Sequence, residues 1–204
     1  MKSTTLLTIT VSFLPTFTMS AIDFKALATQ FPSEDIEWRI GRAGESGGKV
    51  WASALAYVTN RAIMNRLDEV CGPQNWRNEY TTGPSGGVLC GLSIYDEAKS
   101  QWVTKWDGAE NTEREPIKGG LSDAMKRAGV QWGIGRYLYN LTEGWARIAP
   151  ADDKNANRGS YKDPADPSGK KYKSFRWYPP ELPSWALPPK ELSKELDRIS
   201  ISQS

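Results

Sequence analysis

Three short segments in the middle of the chain, each bounded by turn-forming residues, constrain the fold most strongly. They cover residues 76–82, 88–95 and 101–107, and the connections between them read GPSGG and DEAKS. From Val88 to Ile94 every second side chain is apolar, which is the period of a strand that buries one face. Since such short connections join antiparallel neighbours, the sequence predicts an antiparallel β-meander of three to four strands.

Two amphipathic segments flank the predicted strands. The first runs from Lys49 to about Val70, carries Trp51, Leu55 and Val58 at helical spacing, and ends before Gly72. The second runs from Asp123 to Tyr139. Its apolar seam begins just before this segment and consists of Leu121, Met125, Ala128, Trp132, Gly135 and Tyr139. The order helix, three strands, helix predicts an α+β fold. In this fold the meander packs against a long N-terminal helix and a second helix, as a β-β-β-α core.

The residue types exclude the commonest catalytic chemistry. The chain has no histidine, which removes the most frequent general base and the most frequent ligand of transition metals. Its two cysteines, Cys71 and Cys90, fit neither a thiolate cluster nor a CxxC pair, so we expect both to be buried core thiols. We therefore predict that the protein is not an enzyme and that it uses no metal or other cofactor.

The charge balance requires any anion site to be local. The net charge is only +2, from 26 basic and 24 acidic residues. Lys126 and Arg127 are adjacent on the second predicted helix and fall outside its apolar seam. This pair indicates either an anion held along a groove or an ordinary solvated helix edge.

A glycine-rich segment, GRAGESGGKV at residues 41–50, is a second candidate for an anion site. It is not a nucleotide phosphate loop, because Ala43 stands where that motif needs glycine and Val50 stands where it needs Ser or Thr. The segment is instead expected to lead into the N-terminus of the first helix. Its backbone N–H groups and the flanking Arg39, Arg42 and Lys49 would then bind an anion.

The two ends of the chain differ in composition from the middle. Residues 1–18 hold an apolar, Thr-rich run with one lysine, whereas Met19 begins a more ordinary sequence. We expect residues 1–18 to be a non-native extension or a weak signal-like segment, and the protein to be cytoplasmic rather than secreted, with no association with a membrane. Residues 19–150 are predicted to form one folded domain, and residues 151–204 a flexible tail rich in proline and aromatic residues.

Taken in order, several of these motifs resemble one family. The segments EWRIGRAGESGGKVW, TKWDGAE and IKGGLSDAMKRAGVQWGIGRYLY are similar to the single-strand annealing proteins of the Rad52 family. The likeness is greater to the bacterial and phage branch of that family, which includes the DNA damage response A proteins. It covers about Asp23 to Leu141, and FRWYPPELPSWALP in the tail looks like endings common in that branch.

The resemblance implies binding of single-stranded DNA and annealing of complementary strands in recombination and double-strand-break repair. The DNA backbone would lie in a basic groove with its bases exposed, and the subunits would form a homo-oligomeric ring at the nucleoid or in a phage-infected cell. The tail would bind a replication or recombination protein. The residues that match backbone-contacting positions are Arg42, Lys126 and Arg127, with Lys49, Lys118 and Arg136 as further DNA-binding candidates.

Two other functions stay open from the residues alone. One is a passive coat for single-stranded DNA, and the other is a secreted, aromatic-rich module that binds carbohydrate or a surface. Trp102 and Trp106 share one strand face, where we expect them to pack in the core or between subunits. Stacking on DNA bases is the alternative for these two side chains, but it would occlude bases that annealing must leave free.

Overall fold

The computed structural model describes residues 22–110, 116–141 and 144–189. Within these ranges the chain forms two α-helices and three antiparallel sheets of three strands each, which confirms the predicted α+β class. In chain order the elements are β1 (Ile36–Ser46), β2 (Lys49–Val58), α1 (Asn60–Cys71), β3 (Trp76–Thr82), β4 (Val88–Asp96), β5 (Gln101–Ala109), α2 (Pro116–Gln131), β6 (Gly144–Trp145), β7 (Arg147–Ala149), β8 (Asn157–Lys162) and β9 (Tyr172–Tyr178).

The sheet β3–β4–β5 is built from the three segments in which the sequence predicted strands. Helix α2 packs on one face of this sheet, against β4 and β5. The main core lies between them and α1, and its fully buried side chains include Ile63, Leu67, Cys90, Leu92, Ile94, Ala124 and Ala128. The alternating apolar side chains of β4 therefore face α2, whereas Trp102 and Trp106 lie on the opposite face of the sheet.

The long N-terminal helix predicted from Lys49 to Val70 is wrong. The first half of this segment is β2, which pairs antiparallel with β1, and α1 begins only at Asn60. Gly47 and Gly48 form the two-residue turn of this hairpin with φ of +56° and +74°, a conformation that favours glycine at both positions. The glycine-rich segment is thus a hairpin, and it does not lead into the N-terminus of a helix.

The second predicted helix is shorter at its C-terminal end than the sequence pattern indicated. Helix α2 ends at Gln131, and the chain then turns through Gly133 and Gly135, which have φ of +96° and +67°. A short 3-10 helix, Arg136–Asn140, follows. Tyr139 is consequently 70% exposed, although the heptad-like spacing had placed it in the buried seam.

The predicted flexible tail is folded over much of its length. Strands β8 and β9 pair with each other, and β9 also pairs with β7, which gives the third sheet. Its aromatic side chains Tyr161, Phe175 and Trp177 are buried against Ala52 and Ala54 of β2, in a second hydrophobic cluster. The third sheet therefore covers one face of the β1–β2 hairpin. Residues 1–18 and 190–204 lie outside the described ranges.

The two cysteines are buried free thiols, as predicted. Burial raises the pKa of Cys71 and that of Cys90 to about 11, so both stay protonated and unreactive at neutral pH. Within the described ranges, no helix has both the length and the apolar character needed to cross a membrane.

Candidate nucleic-acid interface

The face of the β1–β2–β6 sheet that points away from the third sheet is rich in basic and aromatic side chains. Antiparallel register and burial assign it the following residues: Glu37, Arg39, Arg42 and Gly44 of β1, Lys49, Trp51, Ser53, Leu55 and Tyr57 of β2, and Trp145 of β6. We call this surface the basic face. It extends about 26 Å from Tyr57 to Lys49, at about 3.3 Å per residue of strand.

A β-bulge brings two arginines onto the basic face. Arg39 and Arg42 are three residues apart, so in a regular strand their side chains would point to opposite faces. The register shifts between Ile40 and Arg42, which leaves Gly41 as the extra residue and pairs Arg42 with Ser53. Since Arg39 pairs with Leu55, both arginines lie on the same side of the hairpin, and both are exposed.

Lys126 reaches from α2 to one end of the basic face. Its Nζ lies 4.4 Å from the centre of the Tyr57 ring and 3.5 Å from Oδ1 of Asp123. The side chain is only 22% exposed, so its position is set by these two contacts. Helix α2 and the hairpin thus place Lys126 and the two arginines around one surface.

The side chain of Tyr57 is a neutral phenol, which suits its contact with Lys126. Burial, together with the charge of Glu37 and the hydrogen bond that the hydroxyl donates to it, raises the pKa of Tyr57 to about 12. The phenol therefore stays neutral at physiological pH. Its ring face continues to attract the Lys126 cation, while Glu37 holds the ring in place.

Arg127 points to a different element from its neighbour Lys126, because successive helical residues are about 100° apart around the axis. Its Nε donates to Oδ1 of Asp107 on β5 at 2.9 Å, and Gln131 Nε2 donates to the other carboxylate oxygen at 2.9 Å. Burial raises the pKa of Asp107, but hydrogen bonds from Gln131, Gly108 and Arg127 outweigh it, so this pKa is lowered overall. Asp107 is therefore charged at neutral pH and fixes a half-exposed Arg127 beside the sheet β3–β4–β5, which we call the central sheet.

Arg136 caps the C-terminal end of α2. Its Nε donates to the carbonyl of Val130 at 2.9 Å and its Nη2 to that of Gln131 at 2.7 Å. Lys105 of β5 donates to the same Gln131 carbonyl at 2.9 Å. Cations at this position satisfy carbonyls that have no partner within the helix and oppose the negative end of its dipole. Although Arg136 is exposed, these hydrogen bonds give it a structural role at the end of α2.

Replacing Arg136 by alanine is expected to lower the free energy of unfolding by about 1–2 kcal/mol, since two charge-assisted hydrogen bonds are lost. Most of the affinity for nucleic acid should remain. Thermal unfolding and fluorescence anisotropy measure the two effects, and Lys154→Ala, which removes an exposed charge elsewhere, is the control. Unchanged stability together with a loss of binding as large as that of Lys126→Ala would show instead that Arg136 belongs to the binding surface.

The remaining candidates from the sequence lie at the edges of this arrangement. Lys49 is exposed at the hairpin turn, on the basic face but far from Lys126. Lys118 is in the first turn of α2, and its side chain is outside what the structure describes. The sequence analysis did not assign Tyr57, Trp51 or Trp145 to a binding site. Their position on this face follows from strand pairing, for which the alternation along residues 49–58 was the available signal.

These features define a class of protein: an α+β domain with an open, preorganised surface of cations and aromatic rings, suited to holding a nucleic-acid backbone without reading its sequence. Among the described residues, no three His, Cys, Asp or Glu side chains converge in a way that would hold a metal ion. Residues 23–155, more than half of the chain, match the Rad52/22 family of double-strand break repair proteins. The chain belongs to this family, as the motifs in its sequence predicted.

Two relatives resemble the chain over most of its length. The single-stranded DNA-binding protein DdrA of Deinococcus radiodurans is 34% identical over 169 residues, which is 82% of this chain and 68% of the relative. The single-stranded DNA-binding protein DdrA of Deinococcus deserti is 32% identical over 171 residues, which is 83% of this chain and 72% of the relative. No solved structure is significantly similar to this chain.

Proposed function

We propose that this protein binds single-stranded DNA and anneals complementary strands during double-strand break repair. Membership of the Rad52/22 family and the names of the two relatives support this function. The observation on this protein that supports the function most directly is the basic face. There the bulge at Gly41 aligns Arg39 with Arg42, and the Tyr57 ring holds Lys126 at one end.

The geometry suits annealing because it requires no covalent step. Arg39, Arg42, Lys49 and Lys126 bind phosphates along the basic face, with Arg127 as a further cation beside the central sheet. These contacts depend on charge and not on base sequence. Since the face is an open surface, the bases of most nucleotides stay accessible, so a second strand can test pairing without displacing the protein.

The assembly of the protein is a further part of the proposal. We expect a homo-oligomeric ring in which basic faces of adjacent subunits form one continuous path, as the family resemblance implies. A replication or recombination protein is the proposed partner of the C-terminal tail, residues 151–204. A role in DNA repair is in keeping with a cytoplasmic protein that acts at the nucleoid. Electron microscopy of the purified chain with and without single-stranded DNA tests the ring, and only small, irregular particles would contradict it.

Annealing is tested by following fluorescence transfer between two labelled complementary oligonucleotides. The protein is expected to accelerate pairing well above the spontaneous rate, and the acceleration should fall as salt weakens the phosphate contacts. A pair of non-complementary oligonucleotides is the control and should give no transfer. Tight, salt-sensitive binding without any acceleration would contradict annealing and leave a passive coat as the function.

A further inference from the structure

Two tryptophans of the basic face form an exposed pair that the phosphate contacts do not explain. Trp51 is 37% exposed and Trp145 is 53% exposed. Their ring centres are 6.2 Å apart, and their planes meet at 77°. Trp51 lies on the backbone of Gly44, where a Cβ atom would come within 2.8 Å of the indole. One ring face of Trp51 is thus supported from below by the strand.

The pair lies among the cations of the basic face. Arg42, Ser53 and Trp145 stand opposite one another on three neighbouring strands. Strands in a sheet are about 4.8 Å apart, so Arg42 and Trp145 flank the small Ser53 side chain with about 10 Å between their backbones. Trp51 is two residues from Lys49 along β2, on the same face. Cations that bind phosphates and rings that stack on bases therefore alternate over a short distance.

We infer that Trp51 and Trp145 bind nucleobases, and that this pair makes the basic face prefer single-stranded over double-stranded DNA. The inference rests on the proposed function and adds to it the residues that distinguish the two forms of DNA. Indole rings stack on any base, so the contact does not depend on sequence. In a duplex the base faces are stacked on each other and are not available to the indoles, whereas the phosphates of both forms remain accessible to Arg42 and Lys49.

The position of the pair is compatible with annealing. Trp51 lies towards the hairpin-turn end of the basic face, and Trp145 lies level with Ser53 at its middle. At the other end the aromatic side chain is Tyr57, and its ring is covered by Lys126. Among the described residues of the basic face, none offers an uncovered aromatic ring beside Lys126, so bases there stay open for pairing, while Trp51 and Trp145 anchor a few bases nearer the hairpin turn.

The opposite face of the central sheet supplies a matched control. Trp106 is 47% exposed and lies on Gly91 as Trp51 lies on Gly44, with a Cβ atom there coming within 2.6 Å of the indole. The nearby cation on this face, Arg77, stacks on Trp102 at 4.5 Å and pairs with Glu79 at 3.4 Å. Trp106 thus has similar exposure and packing, but it lacks a row of cations beside it.

The test compares two DNA ligands that carry the same phosphates, an oligothymidylate and an abasic oligonucleotide of equal length. The full chain should bind the oligothymidylate at least about tenfold more tightly, since each stacked base contributes substantially to affinity. Trp51→Ala with Trp145→Ala should remove most of this difference and leave binding of the abasic strand nearly unchanged. Trp106→Ala should keep the full difference, and Trp51→Phe with Trp145→Phe should restore most of it.

Several results would overturn the inference. It is wrong if the double alanine variant, shown to be folded by its thermal unfolding, still prefers the oligothymidylate as strongly as the full chain does. It is also wrong if that variant changes only the oligomeric state, because the pair would then be a subunit contact. Salt-sensitive binding that is equal for both ligands would refute base binding and keep the proposed function, whereas a full chain that binds neither ligand would refute both.

Discussion

Replacing Arg39, Arg42 and Lys126 together by alanine is expected to lower the affinity for single-stranded DNA by at least about 1,000-fold, since each charge-assisted contact contributes about 1.5–3 kcal/mol. The slope of log affinity against log salt should decrease by about two, at about 0.7 per phosphate contact on a single strand. Arg39 and Arg42 are exposed and Lys126 rests on a ring at the surface, so thermal unfolding should change little. Fluorescence anisotropy over a series of salt concentrations measures both effects.

The control for this variant removes the same charge from another surface. Lys154, Lys162 and Lys170 are exposed on or near the third sheet, and their triple alanine variant should keep both the affinity and most of the salt dependence. Equal losses in the two triple variants would show that net charge alone drives binding, and the basic face would then not be the site. Arg127 is left out of the test because its removal would also leave Asp107 without its ion pair.

The elements that the sequence predicted well are those whose signals are local. Strand β4 alternates regularly and is joined to its neighbours by short turns, so its pairing partners are the nearest segments along the chain. Strand β2 was missed because Trp51, Leu55 and Val58 also fit a helical stripe. The choice between the two periods depends on pairing with β1 and on the cap at Thr59, whose hydroxyl accepts from the Ala62 amide at 3.1 Å.

The candidate site was predictable in part for the same reason. Lys126 and Arg42 belong to recognisable sequence motifs, and both lie at the basic face. The bulge at Gly41 depends on register, and the Tyr57 ring under Lys126 depends on a contact between residues distant in the chain, so neither was visible in a local pattern. The positions of Trp102 and Trp106 were predicted only in part. They are 37% and 47% exposed on the outer face of the sheet β3–β4–β5, so of the two expected places the core is wrong, and packing between subunits stays a prediction.

The prediction of a flexible tail failed over residues 157–178 because composition alone does not reveal strand pairing. Asp, Lys, Asn, Gly and Ser surround β8 and β9, and such a composition is typical of flexible segments. The structure joins them to the hairpin by specific contacts. The Tyr161 hydroxyl donates to Glu45 at 2.9 Å, Lys173 Nζ donates to the same carboxylate oxygen at 3.0 Å, and the buried rings of Phe175 and Trp177 cover the small side chains of β2.

A chain that ends at residue 150 is therefore expected to lose most of its stability and its DNA binding. Loss of a buried Phe or Trp side chain costs about 3–5 kcal/mol, so removing Phe175 and Trp177 together approaches the total stability of about 5–15 kcal/mol typical of a domain. The β1–β2 hairpin would lose the cover of one face, and with it the alignment of Arg39 and Arg42 on the other. Chemical unfolding and anisotropy measure the two losses.

The comparison for this truncation is a chain that ends at residue 189, because it keeps both β8 and β9. Its unfolding and DNA binding should be close to those of the full chain. Phe175→Ala in the full chain should fall between the two, with a loss of about 3–5 kcal/mol. If the chain ending at residue 150 instead unfolds at the same denaturant concentration as the full chain, the third sheet does not support the hairpin. The segment from residue 151 onwards would then behave as the flexible tail that its composition predicts.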